Sequence, residues 1–319
     1  MPALDRRRLL ALTGAAALTD AAMTGPAAAA ATSPFFARHK LPIGIQLYTL
    51  GPDAAKDVDG TFKALAAIGY RTVELAGFLG KTPAEFRAAL DRAGLSAPSA
   101  HIQARGGAGT FEGDLGKLAD DLHVIGVKTA VMPSLFIPDR FGKPAAGEGF
   151  GGYLKRIGAG MTADDWKQNA DFLNAKARAL KASGIRVGYH NHNFEFAPVG
   201  GSSGMELLIA DTDPALVTFE TDLGWVAAAG VDPVAFLGKH RGRISMVHVK
   251  DVTAATRPNF ALAMSPAEIG SGVLDWRRLL PAAYAAGVRG FFVEQEPPFT
   301  RPRLEAAKIS HDFLAGVAA

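Results

Sequence analysis

No cysteine occurs anywhere in the 319 residues. Disulfides, thiolate nucleophiles and cysteine zinc sites are therefore excluded. Net charge is almost as scarce: 34 basic side chains stand against 31 acidic ones, a formal +3. That balance gives no reason to expect nucleic acid or an anionic membrane surface as a partner. Beyond the N-terminus no stretch reaches the ~18–20 apolar residues of a spanning helix, so no stable membrane association is expected. The glycine fingerprint of a dinucleotide fold is missing too. After the first apolar run the chain reads Leu47-Tyr-Thr-Leu-Gly51, which cannot cradle a pyrophosphate. No residue-level repeat is visible.

The N-terminus reads as a signal. Arg6-Arg7-Arg8-Leu9-Leu10 is a twin-arginine start, an apolar run continues to Leu18, and an alanine-rich stretch spans 27–31. The apolar run is too short to cross a bilayer. Residues 1–31 are thus expected to be a cleavable twin-arginine signal peptide, with a mature domain over 32–319. This route exports folded proteins, so the expected location is periplasmic or secreted.

Beyond the signal, short apolar runs alternate with helical patterns. The expected strands are 43–48, 72–75, 96–101, 129–132, 186–192, 217–222, 245–249 and 290–294. Between them, segments such as 61–68 and 166–180 repeat apolar residues at helical spacing. Several end in a glycine before the next strand, namely Gly69, Gly94, Gly126, Gly184 and Gly287, as left-handed helix ends require. Such alternation makes a parallel sheet, and eight units suit one closed (β/α)8 TIM barrel of the α/β class. Two long loops, 141–161 and 253–272, leave the C-terminal ends of strands four and seven. Loops of that length form lids or stay disordered.

The later strands end in chemistry. Strand five ends Tyr189-His-Asn-His-Asn193, strand six ends Glu220-Thr-Asp222, strand seven ends His248-Val-Lys-Asp251 and strand eight ends Glu294-Gln-Glu296. Alternation puts Gly188, His190 and His192 on one face of strand five. With His190 turned to the barrel axis, it meets Asp222, His248 and Glu294. Two imidazoles and two carboxylates suit one divalent ion, Mn, Zn, Co or Mg.

These motifs give the chain a resemblance to the xylose isomerase-like barrel superfamily of sugar phosphate isomerases and epimerases. It is carried by Ile45-Gln-Leu-Tyr48, Gly69-Tyr-Arg-Thr-Val-Glu74, Tyr189-His-Asn-His-Asn-Phe-Glu-Phe196, Asp222-Leu-Gly-Trp225, His248-Val-Lys-Asp251, Ile269-Gly-Ser-Gly-Val-Leu-Asp-Trp276 and Val293-Glu-Gln295, and runs from about Ile43 to Leu314. The resemblance implies one metal held by His190, Asp222, His248 and Glu294. His190 departs from the glutamate that ketose epimerases carry on strand five, so their paired-carboxylate mechanism is in doubt. Trp225 stands where the AP endonucleases of the superfamily have histidine, which argues against nuclease activity.

The chemistry implied is proton transfer next to a carbonyl. Its acid/base candidates are Glu294, Lys250 and His192, with Lys250 expected to titrate low beside a metal. Glu74, His101, Trp225 and Glu296 are candidate contacts to a small carbohydrate, with Phe194 and Trp276 as further aromatic wall. Export implies that this carbohydrate is unphosphorylated. Isomerisation or epimerisation is the first expectation, elimination by a lyase the second and a non-catalytic sugar-binding barrel the third. A homo-oligomer is compatible with all three.

Overall fold

The computed structural model describes residues 33–319; the arginine-led segment over 1–31 lies outside the described residues. Eight parallel strands close into a barrel in chain order: β1 Gly44–Gln46, β2 Thr72–Ala76, β3 Ser96–His101, β4 Thr129–Met132, β5 Arg186–His190, β6 Val217–Asp222, β7 Ile244–Val249 and β8 Gly290–Val293. Strand β8 pairs with β1, Gly44 opposite Phe292. No helix among the described residues is long and apolar enough to cross a membrane.

The strands differ from the expected runs mainly at their C-terminal ends. Strand β1 stops at Gln46 because its side chain accepts a hydrogen bond from the backbone N–H of Tyr48 and starts a short 3-10 turn over Leu47–Leu50. Strand β5 stops at His190 rather than at 192, since Glu195 accepts from the backbone N–H of His192 at 2.9 Å and turns the chain away. Helices Val58–Ile68 and Ala163–Leu180 begin earlier than the apolar periodicity alone indicates. Asp57 and Thr162 cap them from upstream, a polar signal that hydrophobic spacing cannot carry. At Gly94 (φ 66°) and Gly126 (φ 98°) the helices do end in the left-handed conformation.

The main core lies between strands and outer helices, with Leu65, Leu90, Leu122, Leu173 and Leu280 among its buried members. A separate apolar cluster, Val131, Met246 and Phe292, sits inside the barrel. It fits because facing positions are glycine. A Cβ on Gly44 would stand 2.5 Å from the Phe292 ring, and one on Gly290 2.7 Å from Met246. This plug leaves the layer nearer the strand C-termini to polar side chains, the end of such barrels where function is carried.

Both long loops are structured. The first contains the helix Phe150–Gly160, anchored by buried Leu154 and Ile157. The second begins as a two-stranded ladder between Asp251–Val252 and Pro266–Ala267. Asp251, fully buried, ties it down: its carboxylate accepts from the backbone N–H groups of Val252, Gly270, Gly272 and Leu274 and from the Trp276 indole. Trp276 is therefore core, not sugar-facing wall.

Candidate functional site

Inward-pointing residues of successive strands make the floor of the site. Asp222 ends β6 and caps the following helix: Oδ1 accepts from the Trp225 N–H at 2.8 Å, and the Asp222 N–H donates to Asn191 Oδ1. One carboxylate oxygen is thereby spent on the backbone, and the other is left for the barrel axis. His190, Asp222, His248 and Glu294 each bring one donor atom to within 4.8 Å of the others, all four residues buried. A second overlapping set, His101, His190, Glu220 and His248, converges equally closely.

His248 stands at the centre. Its Nδ1 lies 2.9 Å from Glu294 Oε2, and its Nε2 lies 2.7 Å from Glu74 Oε2 and 3.2 Å from Glu220 Oε2. His101 Nε2 lies 2.9 Å from Glu220 Oε2, and Gln46 donates to Glu74 Oε2 at 2.8 Å. Lys250 Nζ reaches Asp222 Oδ2 at 2.8 Å and both Glu294 and Glu296 at 2.7 Å.

These charges shape one another. Burial opposes protonation of His248, but Glu220 and Glu294 outweigh it and hold its pKa well above the ordinary value. Burial, with help from the charge on His248, pushes His190 down to about 3. Burial likewise lowers His192 to about 4, and it raises Glu74, assisted by Glu220. The low titration expected of Lys250 concerned a site holding its ion; the protein's own groups act the other way. Burial lowers it, but Asp222, Glu294 and Glu296 outweigh burial and hold it well above its usual value. Three carboxylates around one ammonium keep it charged.

The donor set fits a divalent ion. Buried His190 Nδ1, Glu74 Oε1 and Glu220 Oε1 make no hydrogen bond, while Asp222 Oδ2 is paired with the Lys250 ammonium. Orphaned lone pairs in a buried, carboxylate-rich floor are costly unless a cation takes them up. Hard oxygens mixed with imidazole nitrogens match Mn, Zn, Co or Mg.

Above the floor opens a cavity of about 580 Å³. His101, His190, His192, Trp225, Glu294 and Glu296 line it. Trp225 donates its indole N–H to Glu296 at 3.1 Å. His192, although past the end of β5, keeps an unpartnered Nδ1. Glu74 and Lys250 do not line the cavity. Glu74 is fully buried beneath His248, and Lys250 is enclosed by its three carboxylates. Sugar contact by Glu74 and proton shuttling by Lys250, both expected from sequence, therefore have no open face onto the cavity. Phe194 is buried, its ring stacked beside His192.

Two contributions escaped the sequence reading. Glu220 faces inward with Asp222, two residues earlier on β6, and the alternation that located Asp222 would have found it. Tyr48, Phe78, Leu154 and Leu262 complete the cavity wall from four segments that follow different strands, and no single periodicity links them.

A family model described as xylose isomerase-like TIM barrel matches residues 62–316. An inosose dehydratase of Geobacillus thermodenitrificans is 29% identical over 155 residues, 44% of this chain and 51% of that protein. The chain thus spans about half the length of several curated relatives it matches. An inosose dehydratase of Geobacillus kaustophilus is 23% identical over 80% of this chain and 86% of its own. Among solved structures, a sugar phosphate isomerase/epimerase of Parabacteroides distasonis superposes with a TM-score of 0.67 at 26% identity, covering 85% of this chain and 96% of that one.

Proposed function

This chain belongs to the xylose isomerase-like TIM barrel family, and we propose that it is a divalent-metal-dependent lyase acting on an unphosphorylated carbohydrate. It removes a proton from the carbon next to a carbonyl and then expels a β-oxygen substituent. Family members are sugar-processing enzymes. His190, Asp222, His248 and Glu294 would hold the ion, which supplies Lewis acidity to substrate oxygens when bound.

One observation carries the choice of elimination. Glu294 and Glu296, the acidic side chains lining the cavity, both follow β8, whereas β5 presents His190 and His192. Epimerisation between two carboxylates on opposite substrate faces has no such pair here. His192 is kept neutral by its lowered pKa of about 4 and lines the cavity, so it can accept the carbon-bound proton. The C–H electron pair is held on the carbanion next to the carbonyl and then forms the new double bond as the β-substituent leaves, and the imidazolium returns the proton to the departing oxygen. Water or an alcohol is released, and no oxidant is consumed. Among the described residues no Arg or Lys lines the cavity, which supports a substrate without phosphate. The dehydratase names of the curated relatives support the same reading.

Reprotonation of the same carbanion, giving an isomerase or epimerase, is the second reading, supported by the name of the Parabacteroides protein. Incubation of metal-loaded enzyme with keto-sugars, inososes and keto-glycosides in D2O separates the two. An unsaturated product with released water or alcohol is expected. Deuterium incorporation without product loss would overturn elimination in favour of epimerisation, and binding without either reaction would leave a sugar-binding barrel. Export through the Arg6-Arg7 segment is proposed alongside, and fractionation of expressing cells tests it.

A further inference from the structure

The cavity is larger than a single sugar ring needs, and its outer part changes character. A hexose has about a dozen heavy atoms. Even at the ~30 Å³ that one water commands in the liquid, it needs no more than ~360 Å³, well short of the 580 Å³ present. The floor is polar and buried. The wall above it carries Tyr48, Phe78, Leu154, Leu262 and Trp225, contributed by five separate segments of the chain. Tyr48 is 52% exposed, and Phe78 and Leu262 are half-buried.

The backbone is bent on purpose to put two of them there. Leu262 holds φ at 56°, a left-handed conformation uncommon for a residue with a branched side chain. Its N–H donates to Asn193 Oδ1 at 3.0 Å, and the Asn193 amide also donates to Asn259 at 2.9 Å. A buried asparagine thus clamps the loop that carries the leucine. Phe78 lies in a turn where Gly77, Leu79 and Gly80 all have positive φ. Its ring rests on Gly109, where a Cβ would approach it to 3.2 Å.

We infer that the outer cavity is an apolar subsite, built by Phe78 and Leu262 with Tyr48 and Leu154, that takes the aromatic or otherwise apolar aglycone of a glycoside whose sugar ring lies on the polar floor. A free sugar or cyclitol would leave this wall facing water. An aryl group offers it a flat apolar surface to bury. The inference rests on the carbohydrate reading above and narrows its substrate class.

Isothermal titration of the metal-loaded parent, with a panel of phenyl pyranosides beside their methyl counterparts, tests it. Phenyl glycosides are expected to bind roughly ten-fold tighter or better, from burial of the ring. Phe78→Ala and Leu262→Ala should each remove most of that preference while metal per chain, measured on the same samples, stays as in the parent. Equal binding of phenyl and methyl glycosides overturns the subsite and leaves the carbohydrate reading standing. A preference that survives both substitutions overturns it as well. Binding of neither series by a metal-loaded parent overturns the subsite and the carbohydrate reading together.

Discussion

Glu74 Oε2 lies 2.7 Å from His248 Nε2, on the side of the imidazole away from Glu294. A carboxylate in that place fixes the ring's tautomer and angle and raises its basicity as a ligand, which is worth 10–100-fold in metal affinity where it has been removed from other sites. Glu74→Gln should therefore keep the fold and weaken metal binding by about that factor, read by titration against a chelating indicator. Unchanged affinity would show that Glu74 only fills space.

His248 itself should be indispensable to the ion. About one divalent metal per chain is expected in the parent by elemental analysis, and almost none in His248→Ala, which loses a donor common to both converging sets. An equal metal content in the two proteins would sink the metal-assisted mechanism.

Lys250 would compete with a bound ion for the same oxygens, since its ammonium sits 2.8 Å from Asp222 and 2.7 Å from Glu294. Lys250→Met removes that cation and strands buried carboxylates. The metal-free variant should lose about 3–5 kcal/mol of stability and recover much of it on adding metal, with a larger rise in Tm than the parent shows. Calorimetry with and without Mn²⁺ decides; equal rises would mean that Lys250 and the ion do not share these oxygens.

The metal-free protein should weaken as pH falls below about 6.5. An unfolded histidine takes its proton near 6.5, while folded His190 resists it to about 3 and His192 to about 4, burial being the main cause in both. Between those values the unfolded chain binds the extra protons, so stability falls with falling pH and is unaffected by these two groups above 6.5. His248, raised, contributes with the opposite sign: its stabilisation is full below 6.5 and is lost as pH rises through its folded pKa. Chelator-treated protein should show a Tm that drops from pH 6.5 to 4.5, with a shallower slope in His190→Asn. Identical slopes would remove His190 as the source.

Asp251 is expected to be a structural keystone without a chemical role. Asp251→Ala strands five donors around the second loop and should cost about 3 kcal/mol or more in urea unfolding. Asp251→Asn should recover little, because an amide NH2 would face N–H groups. A neutral Asp251→Ala would show that water replaces the carboxylate freely.

Much of this molecule was legible in the chain. Period-2 and period-3.6 patterns, broken by glycine, specified eight strand–helix units, because each strand and helix buries one face and the order of residues records which. The same alternation located His190, Asp222, His248 and Glu294 at strand ends and would have reached Glu220. Tertiary structure alone decided the rest. That Glu74 meets His248 at 2.7 Å while Glu296 faces the cavity is set across the barrel between strands remote in the chain, and no local pattern records that. Nor could sequence tell that Lys250 would be held charged: its titration is the sum of burial and three carboxylates from two other strands. The apolar wall of Phe78, Leu154 and Leu262 is assembled from segments remote in the chain, and the loop carrying Leu262 is held by contacts of Asn193 with Asn259 and the Leu262 N–H and not by any repeat. Local chemistry determined which groups the barrel carries; only closure of the barrel determined which of them face one another.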